Sequence, residues 1–240
     1  TVNEERAKLS KRHGAVSLEE FRERGYLPQA LLNFIALLGW NPGDDREVLS
    51  LEEMVHEFRF ERVSKSGAVF DREKLNWMNQ QYLLKLPEEE YFRMIDDVIQ
   101  KGDYHDQDPG KIRQAAEILK TRLVTLSDLN QKLGLFFEEN PEIKDLQAIE
   151  VLKEENSKTV LKEFLQQAEN LDQLTSENLG QLVKSVQKST GIKGRGLWMP
   201  LRCAITREVS GPELPAMLDF FGGEKCLHLI RQTLENPSLN

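Results

Sequence analysis

Cysteine and histidine are scarce in this sequence. Its 240 residues include two cysteines, Cys203 and Cys226, and four histidines. Both cysteines stand in apolar, helix-like surroundings, so we expect free thiols in a reducing compartment and no disulfide framework. No cysteine or histidine has the spacing of a zinc ligand set, and the sequence therefore predicts no metal site.

Long apolar runs and alternating strand patterns are also missing. No apolar run approaches 18 residues and no signal-peptide pattern is present, so we expect a soluble, cytoplasmic chain without a membrane partner. Apart from two short extended pieces near residues 60–70, apolar residues recur at helical spacing, and no alternating run follows residue 110. The sequence predicts an all-α fold.

Capping signals predict where several helices begin. Ser17 with Glu20 and Ser50 with Glu53 have the spacing of capping boxes. Pro28 stands where the first turn of a helix tolerates a missing N–H. Further N-caps are expected at Asp71, Ser127 and Thr175.

The polar stretch from Gly102 to Gly110 interrupts the helical pattern. Its three aspartates lack the EF-hand spacing and the terminal glutamate, so we interpret it as a linker and not as a calcium loop. This linker gives the main boundary in a division of the chain into four parts, which are 1-16, 17-104, 105-172 and 173-240.

Acidic residues are absent from Asn178 to Arg207, although the net charge of the chain is −8. The window contains six basic residues: Lys184, Lys188, Lys193, Arg195, Arg202 and Arg207. Glycines beside Lys193 and Arg195 would let backbone amides approach an anion. Composition alone leaves open a nucleic-acid surface or an ordinary basic loop. Trp198 offers a face on which a base could stack, but we expect core packing for it.

A basic motif, KLSKRHG, occupies Lys8–Gly14. Two lysines around a hydroxyl residue can bind neighbouring phosphate oxygens, although a solvated loop is the alternative. Together with the Ala-Val-Ser that follows, the motif resembles the mobile ATP-phosphate loop of class I aminoacyl-tRNA synthetases, in the form found in glutamyl-tRNA synthetases. The resemblance implies that Lys8, Ser10 and Lys11 bind ATP. It also implies that Lys11, supported by Lys8, stabilises charge on the leaving pyrophosphate.

Three other runs resemble the same family, in the same order and spacing. They are Gly25–Trp40, Val63–Trp77, and Lys193–Arg202 with the Gly-Pro-Glu-Leu that begins at Gly211. The last resembles the terminal helical subdomain of bacterial-type members. The resemblance implies an ATP-loop remnant at 1-16, a helical stem-contact domain at 17-104, and anticodon-binding helical subdomains at 105-172 and 173-240.

The resemblance also implies roles for individual residues. Arg122 would read the last anticodon base, where a generic surface arginine is the alternative. Arg202 would contact the anticodon, with Gly211, Pro212 and Leu214 offering backbone contacts; some members have a hydroxyl residue in place of Gly211. Weaker candidates for tRNA phosphate contacts are Lys65, Lys193 and Arg195.

The implied function is the tRNA-binding part of a ligase that joins glutamate to its tRNA through glutamyl-adenylate, using ATP with Mg. We expect a glutamate tRNA partner, no DNA partner and a monomer. Only seven residues precede the ATP loop, so we expect no Rossmann catalytic domain, no cofactor and no glutamate activation by these residues alone.

Two alternatives stay open at this point. One is a helical protein-interaction module without an RNA role. The other is a non-discriminating synthetase that acts on both glutamate and glutamine tRNAs, against which Arg122 argues. A glutaminyl-type enzyme is disfavoured, because its anticodon part is a β-barrel.

Overall fold

The computed structural model describes residues 17–64 and 69–239. Within these ranges the chain forms thirteen α-helices and no extended strand, which confirms the all-α prediction. Trp40 and Val63 form an isolated antiparallel bridge in the region where extended pieces were expected. None of the helices in the described ranges is long and apolar enough to cross a bilayer.

The helices divide between two compact units. The first unit comprises the residues up to Asp106 together with Leu119–Gln131. The second comprises Gln107–Ile118 together with the residues from Lys132 onward. The border after Asp106 lies in the Gly102–Gly110 stretch that was interpreted as a linker. The first unit therefore includes a segment that the linear division assigns to 105-172.

Five helices make up the first unit. They are α1 (Leu18–Glu23), α2 (Pro28–Gly39), α3 (Leu51–Glu57), α4 (Arg72–Lys85) and α5 (Glu88–Ile99), with 3₁₀ turns at Phe60–Arg62 and Lys120–Arg122. Ser17 Oγ accepts a hydrogen bond from the Glu20 amide at 3.2 Å. Ser50 and Glu53 form the predicted reciprocal capping box. Local signals therefore placed these helix starts correctly.

The core of the first unit forms where α1, α2 and α4 meet. Phe21, Phe34, Leu75 and Met78 are buried together there. At the end of α1, Gly25 has a φ of +76° and its carbonyl accepts from the Leu126 amide at 3.2 Å. A side chain at that glycine would be strained and would meet the neighbouring backbone.

Ser127 does not act as the predicted N-cap. Its hydroxyl donates to the carbonyl of Arg24. The carboxylate of Asp128 instead accepts from the amides of Val124 and Thr125, at 3.1 and 2.8 Å. The prediction was wrong because a contact that is distant in sequence competes for the serine hydroxyl.

The remaining eight helices lie wholly or partly in the second unit. They are α6 (Pro109–Leu119), α7 (Asp128–Phe137), α8 (Leu146–Lys153), α9 (Glu155–Ala168), α10 (Ser176–Thr190), α11 (Arg195–Thr206), α12 (Leu214–Phe221) and α13 (Gly223–Glu235). Thr175 caps α10 as predicted. α11 packs against α8, α9 and α13, which buries Leu197, Leu201 and Cys203. One side of α11 thus belongs to the core.

Both cysteine thiols should be inert in the folded chain. Burial raises the pKa of Cys203, assisted by the Asp145 carboxylate, and burial alone raises that of Cys226, each to about 12. We expect a disulfide reagent at pH 8 to react about 100-fold more slowly with the native chain than with the chain in guanidinium.

The same raised pKa values fix the sign of a pH effect. Above pH 9 the thiols ionise in the unfolded chain but not in the folded one, so their contribution to stability falls as the pH rises toward 12. If one thiol of the native chain reacted with the disulfide reagent at pH 8 as fast as a free thiol does, this result would contradict the buried placement.

Candidate nucleic-acid interface

The predicted site residues are spread over both compact units. Lys8, Ser10, Lys11 and Lys65 lie outside the residues that the structure describes. Arg122 belongs to the first unit. The second unit contains the other candidates, which are Lys193, Arg195, Arg202, Gly211, Pro212 and Leu214.

Arg122 is half-buried at the end of the 3₁₀ turn that follows α6. α4 binds the backbone on both sides of this arginine. The side-chain amide of Gln80 donates to the Thr121 carbonyl at 3.0 Å, and that of Asn79 donates to the Val124 carbonyl at 2.6 Å. The backbone that carries Arg122 is therefore fixed to the first unit.

α11 has a basic and aromatic face, defined here by Arg195, Trp198 and Arg202. Their spacings of three and four residues put them on one side of the helix. Arg195 is exposed, Trp198 is 43% exposed and Arg202 is half-buried. The expected core position of Trp198 is wrong, because Leu197 and Leu201 occupy the side of the helix that faces the core.

Two glycines with positive φ lie in the connection between α10 and α11. α10 ends at Gly191 with a φ of +73°, and α11 begins after Gly194 with a φ of +58° and without a side-chain cap. Lys193 stands between them and is exposed. The exposed lysines of α10, Lys184 and Lys188, belong to the same acid-free window. The window therefore presents several cations to solvent.

Arg207, the sixth basic residue of that window, is not a surface charge. It is 6% exposed, and its Nη1 donates to the Ala204 carbonyl at 2.7 Å and to Thr233 Oγ1 at 2.8 Å. Its Nη2 donates to Gln232 Oε1 at 3.1 Å. Burial lowers the pKa of Arg207 to about 10. This arginine therefore binds the end of α11 to α13 and is not part of the exposed basic surface.

Arg202 and the turn before α12 are neighbours. Arg202 Nη2 lies 2.9 Å from Glu213 Oε2, and Glu213 is exposed. Gly211, Pro212 and Leu214 are buried, so the Leu214 side chain is not available at the surface. Sequence reasoning missed Glu213 as the partner of Arg202. The available signal was an acidic residue between the predicted contact residues Pro212 and Leu214.

The described residues contain no candidate metal centre. No group of three or more histidine, cysteine, aspartate or glutamate side chains is arranged to hold an ion there. The cations and the aromatic ring of the α11 face instead have the chemistry of phosphate and base contacts.

Two family models match consecutive parts of the chain. One, described as an anticodon binding domain, matches residues 78–234. The other, described as the catalytic domain of class I tRNA synthetases (E and Q), matches residues 1–77. The border between the two matches falls inside α4.

Similar proteins are known by sequence and by structure. A glutamate–tRNA ligase of Finegoldia magna is 36% identical over 97% of this chain and 48% of the relative, and one of Listeria monocytogenes is 39% identical over 98% and 50%. A crystal structure of a glutamate tRNA ligase from Elizabethkingia meningosepticum, in complex with its amino acid, has a TM-score of 0.69 and 27% identity over 96% of this chain and 49% of that one. The chain spans about half the length of the curated relatives it matches.

Proposed function

The chain belongs to the anticodon-binding-domain family that matches residues 78–234, and we propose that it is the tRNA-binding and anticodon-recognising part of a glutamate–tRNA ligase. The α11 face is the observation that carries this proposal. Its two arginines flank an exposed tryptophan within a stretch of 30 residues, Asn178–Arg207, that has no carboxylate. Similarity to glutamate–tRNA ligases supports glutamate tRNA as the partner.

The chemistry of the face suits a single-stranded anticodon loop. Arginine can donate two parallel hydrogen bonds to the edge of a base, and an aromatic ring can stack on a base that is splayed out of the loop. Lys193 and Arg195 are exposed and suit phosphates, which give affinity but no sequence discrimination. We assign contacts with anticodon bases to the Arg202 side chain. We assign contacts made by protein backbone atoms to Gly211, Pro212 and Leu214.

Arg122 is the proposed reader of the last anticodon base. Arg122 belongs to a turn whose backbone is bound to α4, so the backbone that carries its guanidinium is held in place before tRNA arrives. A reading segment whose backbone is already fixed loses less conformational entropy on binding, which favours discrimination. This support comes from local geometry in the first unit.

The whole ligase reaction is a proposal as well. ATP would supply the activation of glutamate as glutamyl-adenylate, with Mg on its phosphates. Lys8 and Lys11 stay the proposed phosphate ligands, with Ser10 donating a hydrogen bond. We expect the protein to act as a monomer in the cytoplasm, where its tRNA is charged.

Binding to an unmodified glutamate tRNA tests the proposal. We would compare it with a tRNA altered at the last anticodon base, at about 50 mM and about 200 mM salt. Affinity that falls with salt and with the base change supports phosphate contacts together with base reading. Binding that is insensitive to salt and to the anticodon would favour a protein-interaction module and overturn the proposal.

Replacing Arg122 by glutamine should reduce discrimination at the last anticodon base by about tenfold, because glutamine lacks the charged, planar fork of arginine. The ratio of dissociation constants for the two tRNAs measures this. As a control, Arg113→Gln makes the same change of residue type on α6. A ratio that stays the same in Arg122→Gln would remove Arg122 as the reader.

Replacing Glu213 by glutamine should raise tRNA affinity by about two- to fivefold. The change removes a carboxylate that pairs with the half-buried Arg202 at 2.9 Å, and a pair whose carboxylate is exposed to solvent is worth little to stability. The dissociation constant at low salt measures the effect. Glu150→Gln gives the same net charge on α8 and should change affinity less; an equal gain from both variants would show that only net charge matters.

A further inference from the structure

A buried asparagine in α4 connects two loops of the first unit. Asn79 is 0% exposed. Its Oδ1 accepts from the Leu27 amide at 2.8 Å, and its Nδ2 donates to the Val124 carbonyl at 2.6 Å. One side chain therefore joins the start of α2 to the backbone two residues after Arg122.

The next residue of α4 binds the other side of the arginine. Gln80 Nε2 donates to the Thr121 carbonyl at 3.0 Å. Beyond Val124, the Asp128 carboxylate accepts from the Thr125 amide at 2.8 Å. The carbonyls at both ends of the short segment that carries Arg122, those of Thr121 and Val124, thus accept from α4. The Val124 amide is also held by Asp128 at 3.1 Å.

We infer that Asn79, together with Gln80, is a positioning residue for the reading of the last anticodon base by Arg122. The inference rests on the proposed function. A bidentate arginine–base contact depends on the angle and position of the guanidinium, and a small displacement of its backbone reduces the discrimination that it gives. Without Asn79, the Val124 carbonyl loses its donor and the segment has one anchor fewer.

The first unit contains a matched control for a purely structural role. Asn33 is also 0% exposed. Its Oδ1 accepts from the Leu49 amide at 2.9 Å and from the Tyr82 hydroxyl at 2.8 Å. Asn33 therefore resembles Asn79 in burial and in its bond to a backbone amide, but Leu49 and Tyr82 lie outside 121–124.

The experiment compares three variants of the full chain: Asn79→Ala, Gln80→Ala and Asn33→Ala. The readout is the ratio of dissociation constants for glutamate tRNA and for the tRNA altered at the last anticodon base, with the melting temperature measured alongside. We expect Asn79→Ala to lower the ratio by about fivefold and Gln80→Ala by about twofold. Asn33→Ala should lower the melting temperature and leave the ratio unchanged.

The outcomes separate this inference from the proposed function. If the unmutated chain does not discriminate between the tRNAs, Arg122 is not the reader and both ideas fall. If it discriminates but Asn79→Ala and Gln80→Ala keep the ratio, only the inference falls. An equal loss in Asn33→Ala would also overturn it, since instability alone would then explain the change. If Asn79→Ala does not fold, Gln80→Ala decides the question, because this half-exposed side chain is not part of the core.

Discussion

Replacing Arg207 by alanine should lower the free energy of unfolding by about 3 kcal/mol. The guanidinium is buried and donates to carbonyl and side-chain oxygens at the end of α11 and along α13. Its removal leaves the Ala204 carbonyl without this donor and opens a cavity. These losses exceed the gain from no longer burying a charge, because the last turn of α11 presents carbonyl dipoles to the cation. Urea denaturation followed by circular dichroism measures the difference.

The conformation of Arg207 provides the control. Its φ is +64°, in the left-handed region that glycine adopts more easily than other residues. Arg207→Gly and Arg207→Ala lose the same hydrogen bonds, but only the glycine relieves the backbone, so it should be about 1 kcal/mol more stable than the alanine variant. If Arg207→Gly were as stable as the unmutated chain, the interactions of the guanidinium would do no more than offset the backbone strain of a non-glycine residue at this φ.

Local signals were sufficient for most of the fold. The capping box of Ser50 and Glu53, the proline at the start of α2 and the N-cap at Thr175 act within one helical turn. Such signals need no knowledge of distant residues, so the sequence predicts them well. The all-α class follows from the same periodicity.

Residues whose environment depends on distant contacts were harder to predict. Trp198 and Arg207 belong to the same acid-free window, yet Trp198 is exposed and Arg207 is buried, opposite to what residue type suggests. Helix phase was the available signal, because Leu197 and Leu201 define the core side of α11. The role of Asn79 had a weaker signal, a polar residue four positions after Leu75 on the side of α4 that faces the core.

The two proposed anticodon readers are held in place by different means. Arg122 is positioned through backbone bonds to Asn79 and Gln80, whereas Arg202 is paired with the Glu213 carboxylate. Backbone anchoring restrains the segment that carries Arg122, whereas the Glu213 carboxylate restrains the side chain of Arg202 itself. Arg202 must share or leave a carboxylate to contact a base. Changes near Arg122 should therefore alter discrimination, and changes at Glu213 should alter affinity.

Replacing Gly211 by alanine should destabilise the chain by about 2–3 kcal/mol and weaken tRNA binding with it. A Cβ at this position would overlap Oγ1 and Cβ of Thr206, well inside van der Waals distance. Thr206 cannot easily move aside, because it is 1% exposed and its hydroxyl lies 2.9 Å from the Arg202 carbonyl and 3.0 Å from that of Glu208. Relief of the overlap would shift the turn that precedes α12 or the end of α11 that carries Arg202. Urea denaturation and tRNA binding, measured on the same variant, test both effects.

Two further variants serve as controls for this prediction. Gly180→Ala, in the middle of α10, has nothing within 4 Å of the added methyl group and should stabilise the chain by about 0.5–1 kcal/mol. Thr206→Gly removes the atoms that Gly211→Ala would meet, so adding the alanine to that background should cost far less than 2–3 kcal/mol. If the alanine costs the same in both backgrounds, Thr206 is not the obstacle.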